Sequence, residues 1–281
     1  MGNRFLHLIP LVLFTVMATV AAGLMTGLSW MLLMGTYLPG YHHYLLLTVV
    51  LAGMGVAISL FHLGRKEKFL RAIVGVRHSW LSREVIVASA FAISAGAVFI
   101  FVNTGQAAIL IDLAAAAAVI SALIMTWTIG MVYNLSGRFT WEGFPYLMAP
   151  FMSALLLSYW IILFNTMPKI WLKLLFLIIW LFDFLMALLR TKTFRRLLDN
   201  KYRFEFPHLI LFTRVGYMAR LILTFCLIAG VLLSLKRIVL FIIIANIILD
   251  RLCFYAGTVG VSPRSEIAFQ KAERMKEALM Q

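Results

Sequence analysis

The sequence is poor in acids. Eleven Asp and Glu stand against 25 Lys and Arg, a formal net charge of +14. Cysteine is nearly missing. Cys226 and Cys253 are the only two, and both lie inside apolar runs. Two thiols make neither a metal-ligand spacing nor a disulfide framework, and an iron–sulfur cluster normally takes four ligands. Both read as packing residues, and no metal or cluster is expected in the chain. The six histidines (His7, His42, His43, His62, His78 and His208) fall at the ends of apolar runs or between them. A haem in a membrane bundle takes axial ligands such as histidine, and these must sit within the helices at matching depth. No haem is therefore expected.

What the sequence has in quantity is apolar length. Hydrophobic residues make up 63% of the chain and the mean hydropathy is +0.97, whereas soluble domains are about 45–50% apolar. A crossing helix takes about 20 residues. Eight runs reach that length, at 8–34, 43–63, 84–103, 106–132, 146–165, 169–189, 212–234 and 238–257. Backbone groups in lipid must be satisfied within the segment, so each run is helical. The expected fold is an all-α integral membrane protein, eight transmembrane helices in a bundle. Residues 1–260 form the anchor domain and 261–281 a short cytoplasmic amphipathic tail, with Ser262 as N-cap and Pro263 in the first turn. The first run begins after Arg4 like a signal peptide but is too long for one, and reads as a retained span. Gly and Ala cluster in spans three and four, which fits close helix packing.

The cations segregate. Arg65, Lys66, Lys68, Arg71, Arg77 and Arg83 lie between spans two and three. Arg190, Lys192, Arg195, Arg196, Lys201 and Arg203 lie between spans six and seven, with Arg214 at the start of span seven. Arg4, Arg138 and the basic tail fall on the same side, while the other side holds only Lys169, Lys173, Lys236 and Arg237. The positive-inside rule puts the rich side, and both termini, in the cytoplasm. Lipid headgroups and topology account for the charge, and no nucleic-acid partner is expected. Ionisable residues inside the runs are few. Asp112 opens span four, Asp183 is in mid span six, Arg220 is in span seven, and Asp250 and Arg251 are in span eight. Such residues face a bundle interior, a partner or water. Asp183 is expected to pair with Arg220 or Arg251. Adjacent on a helix, Asp250 and Arg251 are expected to have separate partners. A secondary transporter with a midplane site at Asp183, Arg220 and Arg251 is one functional alternative. It lacks the paired Gly/Pro-interrupted spans common in transporters. A purely structural anchor is another.

FHLGRKEKFLRAIVGVRHSWLSREV, residues 61–85, joins spans two and three. His62 ends one span and Glu84 opens the next, so a helical hairpin brings both to one membrane surface near Trp80. A His beside a carboxylate there can exchange protons near neutral pH. A quinol that loses two electrons also loses two protons, while its apolar tail stays in lipid. An interfacial His and a Glu that pairs with Arg would have the same spacing.

These residues carry a resemblance. FHLG followed by Arg71–Ala72, then SWLSREV, is similar to the DMSO reductase membrane anchor (DmsC) family. Val132–Asn134 (VYN), a Trp then a Pro ahead of span five (Trp141, Pro150), and Arg251 followed by FYAGTVG (Phe254 to Gly260) extend the match over most of the chain. The loop from Arg65 to Lys68 departs from the family in being more basic. The resemblance implies a multi-pass protein of the bacterial inner membrane. It implies partnership with a molybdopterin catalytic subunit and a four-cluster iron–sulfur subunit, and oxidation of menaquinol in anaerobic respiration. His62 and Glu84 match the family's quinol site. Arg71, Tyr133 and Arg251 match further family positions, and Trp80 is placed to help hold the headgroup. The terminal acceptor, whether DMSO, another S- or N-oxide, selenate or polysulfide, belongs to the partner's chemistry.

Overall fold

A computed structural model of the chain describes residues 9–36, 39–62, 80–133, 144–165, 170–199, 207–260 and 275. Among them the only regular elements are eight helices: α1 Ile9–Leu33, α2 Tyr41–His62, α3 Trp80–Asn103, α4 Ala108–Tyr133, α5 Phe144–Asn165, α6 Ile170–Asp199, α7 Pro207–Leu232 and α8 Lys236–Gly260. All eight are long and apolar enough to cross a membrane. Each expected run is there, most with ends shifted by a few residues. The larger difference is α6, which continues ten residues past the expected end at 189. Its extra turns carry Lys192, Arg195 and Arg196, cations that the negative end of the helix dipole favours. Pro150 lies inside α5, not ahead of it. It has no N–H for the carbonyl one turn back. Trp141 and the expected tail helix lie outside the described residues.

The helices close two rings. α1 packs on α2, α2 on α3, α3 on α4, and α4 returns to α1. Likewise α5 packs on α6, α6 on α7, α7 on α8, and α8 returns to α5. The rings join where α5 meets α1 and α4, and where α8 meets α1. Burial follows from this plan. Two-thirds of the spanning stretch is buried in both α1 and α5, against 22% in α4 and 28% in α2 and α3. The outer helices turn large apolar side chains outward, among them Ile93, Ile222 and Phe241. Such a surface is stable against acyl chains and not against water.

The seam is made of small residues. A Cβ on Gly23 of α1 would meet the Ala154 carbonyl of α5 at 2.8 Å, and one on Gly27 would meet the Ser158 carbonyl at 2.8 Å. Gly23 and Gly27 repeat every four residues, as do Ala154 and Ser158, and the matched rise shows that α1 and α5 run parallel. This is the small-xxx-small contact of membrane helices. The expected small-residue packing in α3 and α4 is also present through buried Ala88, Ala95, Ala115, Ala118 and Ala122. A Cβ on Gly96 would meet nothing within 4 Å.

Because the helices alternate in direction, α2, α4, α6 and α8 end at one face of the molecule, where α3, α5 and α7 begin. This is termed the His62 face. At the opposite face α1 ends in a Schellman cap. The Thr36 N–H donates to the Met31 carbonyl at 2.9 Å and the Gly35 N–H to the Leu32 carbonyl at 2.8 Å, with Gly35 at φ +66° as the left-handed position requires.

Candidate functional site

The expected site lies on the α2–α3 hairpin. α2 ends on His62 and α3 begins at Trp80, so both belong to the His62 face. The His62 side chain and residue Arg71 lie outside the described parts. Tyr133 is the last residue of α4 and so reaches the same face, though its side chain is also outside the description.

Glu84 is not at the surface. α3 starts four residues earlier than expected, which sinks Glu84 by about 6 Å at 1.5 Å per residue. It joins the buried stripe of α3 formed with Ala88, Phe91, Ala95 and Val98, positions spaced by three and four. The residue is 1% exposed, and its Oε1 has no hydrogen-bond partner among the described residues. A buried polar oxygen left without a partner costs free energy. Trp80, one turn earlier on the same face, is engaged differently. The Arg83 guanidinium lies 4.3 Å from its ring centroid, an attractive cation–π distance. Trp80 thus shares its ring face with a neighbouring cation.

The second concentration of polar groups lies inside the other ring. Asp250 of α8 accepts from three arginines. Arg220 Nη1 reaches its Oδ1 at 2.5 Å, Arg251 Nε reaches its Oδ2 at 3.0 Å, and Arg190 Nη1 also bonds Oδ1. Arg220 Nη2 then reaches Asp183 Oδ1 at 3.2 Å. The expected pairing of Asp183 with Arg220 is present. The expectation of separate partners for Asp250 and Arg251 is overturned, because the two bond one another. Helix geometry separates their Cβ directions, but the long Arg251 side chain folds back to its neighbour. Three buried arginines against two buried aspartates leave one net positive charge. Arg190, counted by sequence with the basic loop, is fully buried, with its guanidinium 5.8 Å from the Tyr146 ring. Its signal was its place seven residues after Asp183, two turns along the same helix face. Arg251, which the resemblance matches to a further family position, lies on α8 and belongs to this network.

Beside Asp183 is a cavity of about 10 Å³ lined by Ser153, Thr224 and Asn246, room for about one water. Thr224 Oγ1 and Asn246 Oδ1 are 3.3 Å apart, and the Trp180 Nε1–H donates to the Thr224 carbonyl at 2.6 Å. Among the described residues no three of His, Cys, Asp and Glu gather as metal ligands do.

Residues 1–257 match the family model described as DMSO reductase anchor subunit (DmsC). No curated protein and no solved structure matches the chain.

Proposed function

The chain belongs to the DMSO reductase anchor subunit (DmsC) family, and from that premise we propose that it is the quinol-oxidising subunit of its complex. It is a membrane anchor of a DMSO reductase-type complex, with a catalytic and an electron-transfer subunit as partners. Menaquinol binds at the His62 face with its tail in lipid and its headgroup between α2 and α3. Two electrons leave the quinol for a four-cluster iron–sulfur subunit, and two protons leave its hydroxyls for His62 and Glu84. The observation that carries this reading is the buried Oε1 of Glu84, unpartnered among the described residues, on a hairpin closed by His62. A hydroxyl of the headgroup would give that oxygen the donor it lacks, and a carboxylate in that position can take the proton. Arg71, Trp80 and Tyr133 are assigned to holding the headgroup. The complex works in anaerobic respiration in the bacterial inner membrane, and a molybdopterin subunit reduces the terminal acceptor.

His62→Ala tests the assignment in the assembled complex. Positioned acid–base groups contribute about 10²–10⁴-fold, so quinol-dependent turnover falls by at least about 10². Turnover from an artificial donor that reduces the partner directly stays unchanged. Unchanged quinol turnover together with unchanged quinone-analogue binding would remove His62 from the site.

A further inference from the structure

At the face opposite His62, a cavity of about 530 Å³ opens between the C-terminal ends of α5 and α7 and the start of α6. Ligand cavities commonly measure about 300–1,000 Å³. Its walls are apolar, with Phe164, Phe176, Leu177, Ile228 and Val231 among them, and among the described residues Lys173 is the one charged residue that lines it. Lys173 is exposed and forms no ion pair among the described residues. A second ammonium stands at the edge, where Lys236 Nζ lies 3.5 Å from the Phe164 carbonyl and also bonds Asn165.

The charge around this cleft is one-sided. The connections at this face are residues 34–40, 104–107, 166–169 and 233–235, and none contains Asp or Glu. The first two, in the first ring, contain no Lys or Arg either. All the cations of this face (Lys169, Lys173, Lys236 and Arg237) stand at the starts of α6 and α8 or just ahead of them. This is the side on which the positive-inside rule disfavours cations. Lys173 lines this apolar cleft and Lys236 stands at its edge, an arrangement that suits an anionic occupant with a long apolar body. We propose that the α5–α6–α7 cleft is a binding site for one anionic phospholipid, its acyl chains against Phe176 and Ile228 and its phosphate on Lys173. Basic pockets between membrane helices recognise lipid headgroups in this way. The site is separate from the proposed quinol site, since the two occupy opposite faces and different rings.

The test uses the purified full chain in bilayer discs with equal phosphatidylglycerol and phosphatidylcholine, released for native mass spectrometry. Phosphatidylglycerol adducts are expected to exceed phosphatidylcholine adducts severalfold. Lys173→Glu lowers the ratio, and Ile228→Trp, which fills the cleft, lowers retention of both. Lys173 is exposed, so its replacement leaves folding intact and decides the matter if Ile228→Trp does not fold. Equal retention of the two lipids by the native chain overturns the proposal. So does a preference left unchanged by Lys173→Glu, or retention of an isoprenoid quinone in place of phospholipid when both are offered.

Discussion

Two carboxylates show how residue environment separates roles in this protein. Asp250 is buried and accepts from Arg190, Arg220 and Arg251. Glu84 is as deeply buried and has an oxygen with no donor among the described residues. The first is a structural anion that holds α6, α7 and α8 together. Breaking a buried ion network by removing one partner costs about 3–5 kcal/mol, because the other charges stay buried. Asp250→Asn should therefore destabilise the protein by about that much in detergent unfolding, while Asp112→Asn, on a half-exposed residue, should change it by less than about 0.5 kcal/mol. Equal effects would mean that the network contributes no more than the surface does. Glu84→Gln removes a proton acceptor and keeps the shape. It should lower quinol-dependent turnover by about 10² or more and leave unfolding unchanged or slightly improved. A large loss of stability with normal turnover would make Glu84 a packing residue. The sequence made the Asp183–Arg220 pair legible, because ionisable residues in apolar runs stand out, and it marked Glu84 without showing its burial. It hid Arg190, which looked like one more cation of a basic loop. It also hid the Asp250–Arg251 bond, because neighbours on a helix diverge at Cβ and only the side-chain conformation brings them back.

Elements were the most legible scale, for a physical reason. A bilayer demands about 20 apolar residues in a helix, so composition alone fixes number and approximate extent. What composition does not fix is which helix is central. α1 and α5 are less apolar than α3 and α4, with mean hydropathy 2.0 against 2.5 and 2.4, yet they alone are two-thirds buried. The cue was the Gly23–Gly27 spacing, matched by Ala154 and Ser158, and it was overshadowed by the more conspicuous alanine run in α4. The close approach has a measurable consequence. A side chain at Gly27 would collide with the Ser158 backbone carbonyl, which cannot swing away. Overpacking of this kind costs about 1–3 kcal/mol, so Gly27→Val should lower the unfolding free energy by that amount or more. Gly53 of α2 faces open space, and Gly53→Ala should be neutral or stabilising by about 0.5–1 kcal/mol, since glycine within a helix is entropically unfavourable. If both substitutions behave alike, the α1–α5 seam is looser than its geometry says.

At the scale of the whole molecule, eight alternating helices put the start of α1 and the end of α8 at one face, and the proposed quinol site lies at that same face. Its sidedness then decides where the partner subunits dock, because electrons leaving the quinol must enter a subunit seated nearby. The cation distribution survives the structure with one deduction. Arg190 leaves the tally for the buried network, but the α2–α3 connection, the last turns of α6 (Lys192, Arg195 and Arg196) and Lys201 and Arg203 after it keep this face rich in Lys and Arg, while the opposite face stays poor. The positive-inside rule weighs residues near the ends of spans, and α6 extends the membrane-proximal basic stretch to Asp199. The His62 face is therefore expected in the cytoplasm. Single cysteines in a chain with Cys226 and Cys253 replaced by Ser and Ala test this directly. With a membrane-impermeant maleimide added to intact cells, Thr104→Cys at the opposite face should label and Asp199→Cys at the end of α6 should not. Permeabilised cells should label both. The reverse pattern would put the site and its electron-accepting partner outside. It would also turn the basic loops from a topological signal into a docking surface for an acidic subunit, which neutralising Arg65, Lys66 and Lys68 would then weaken in a salt-dependent way.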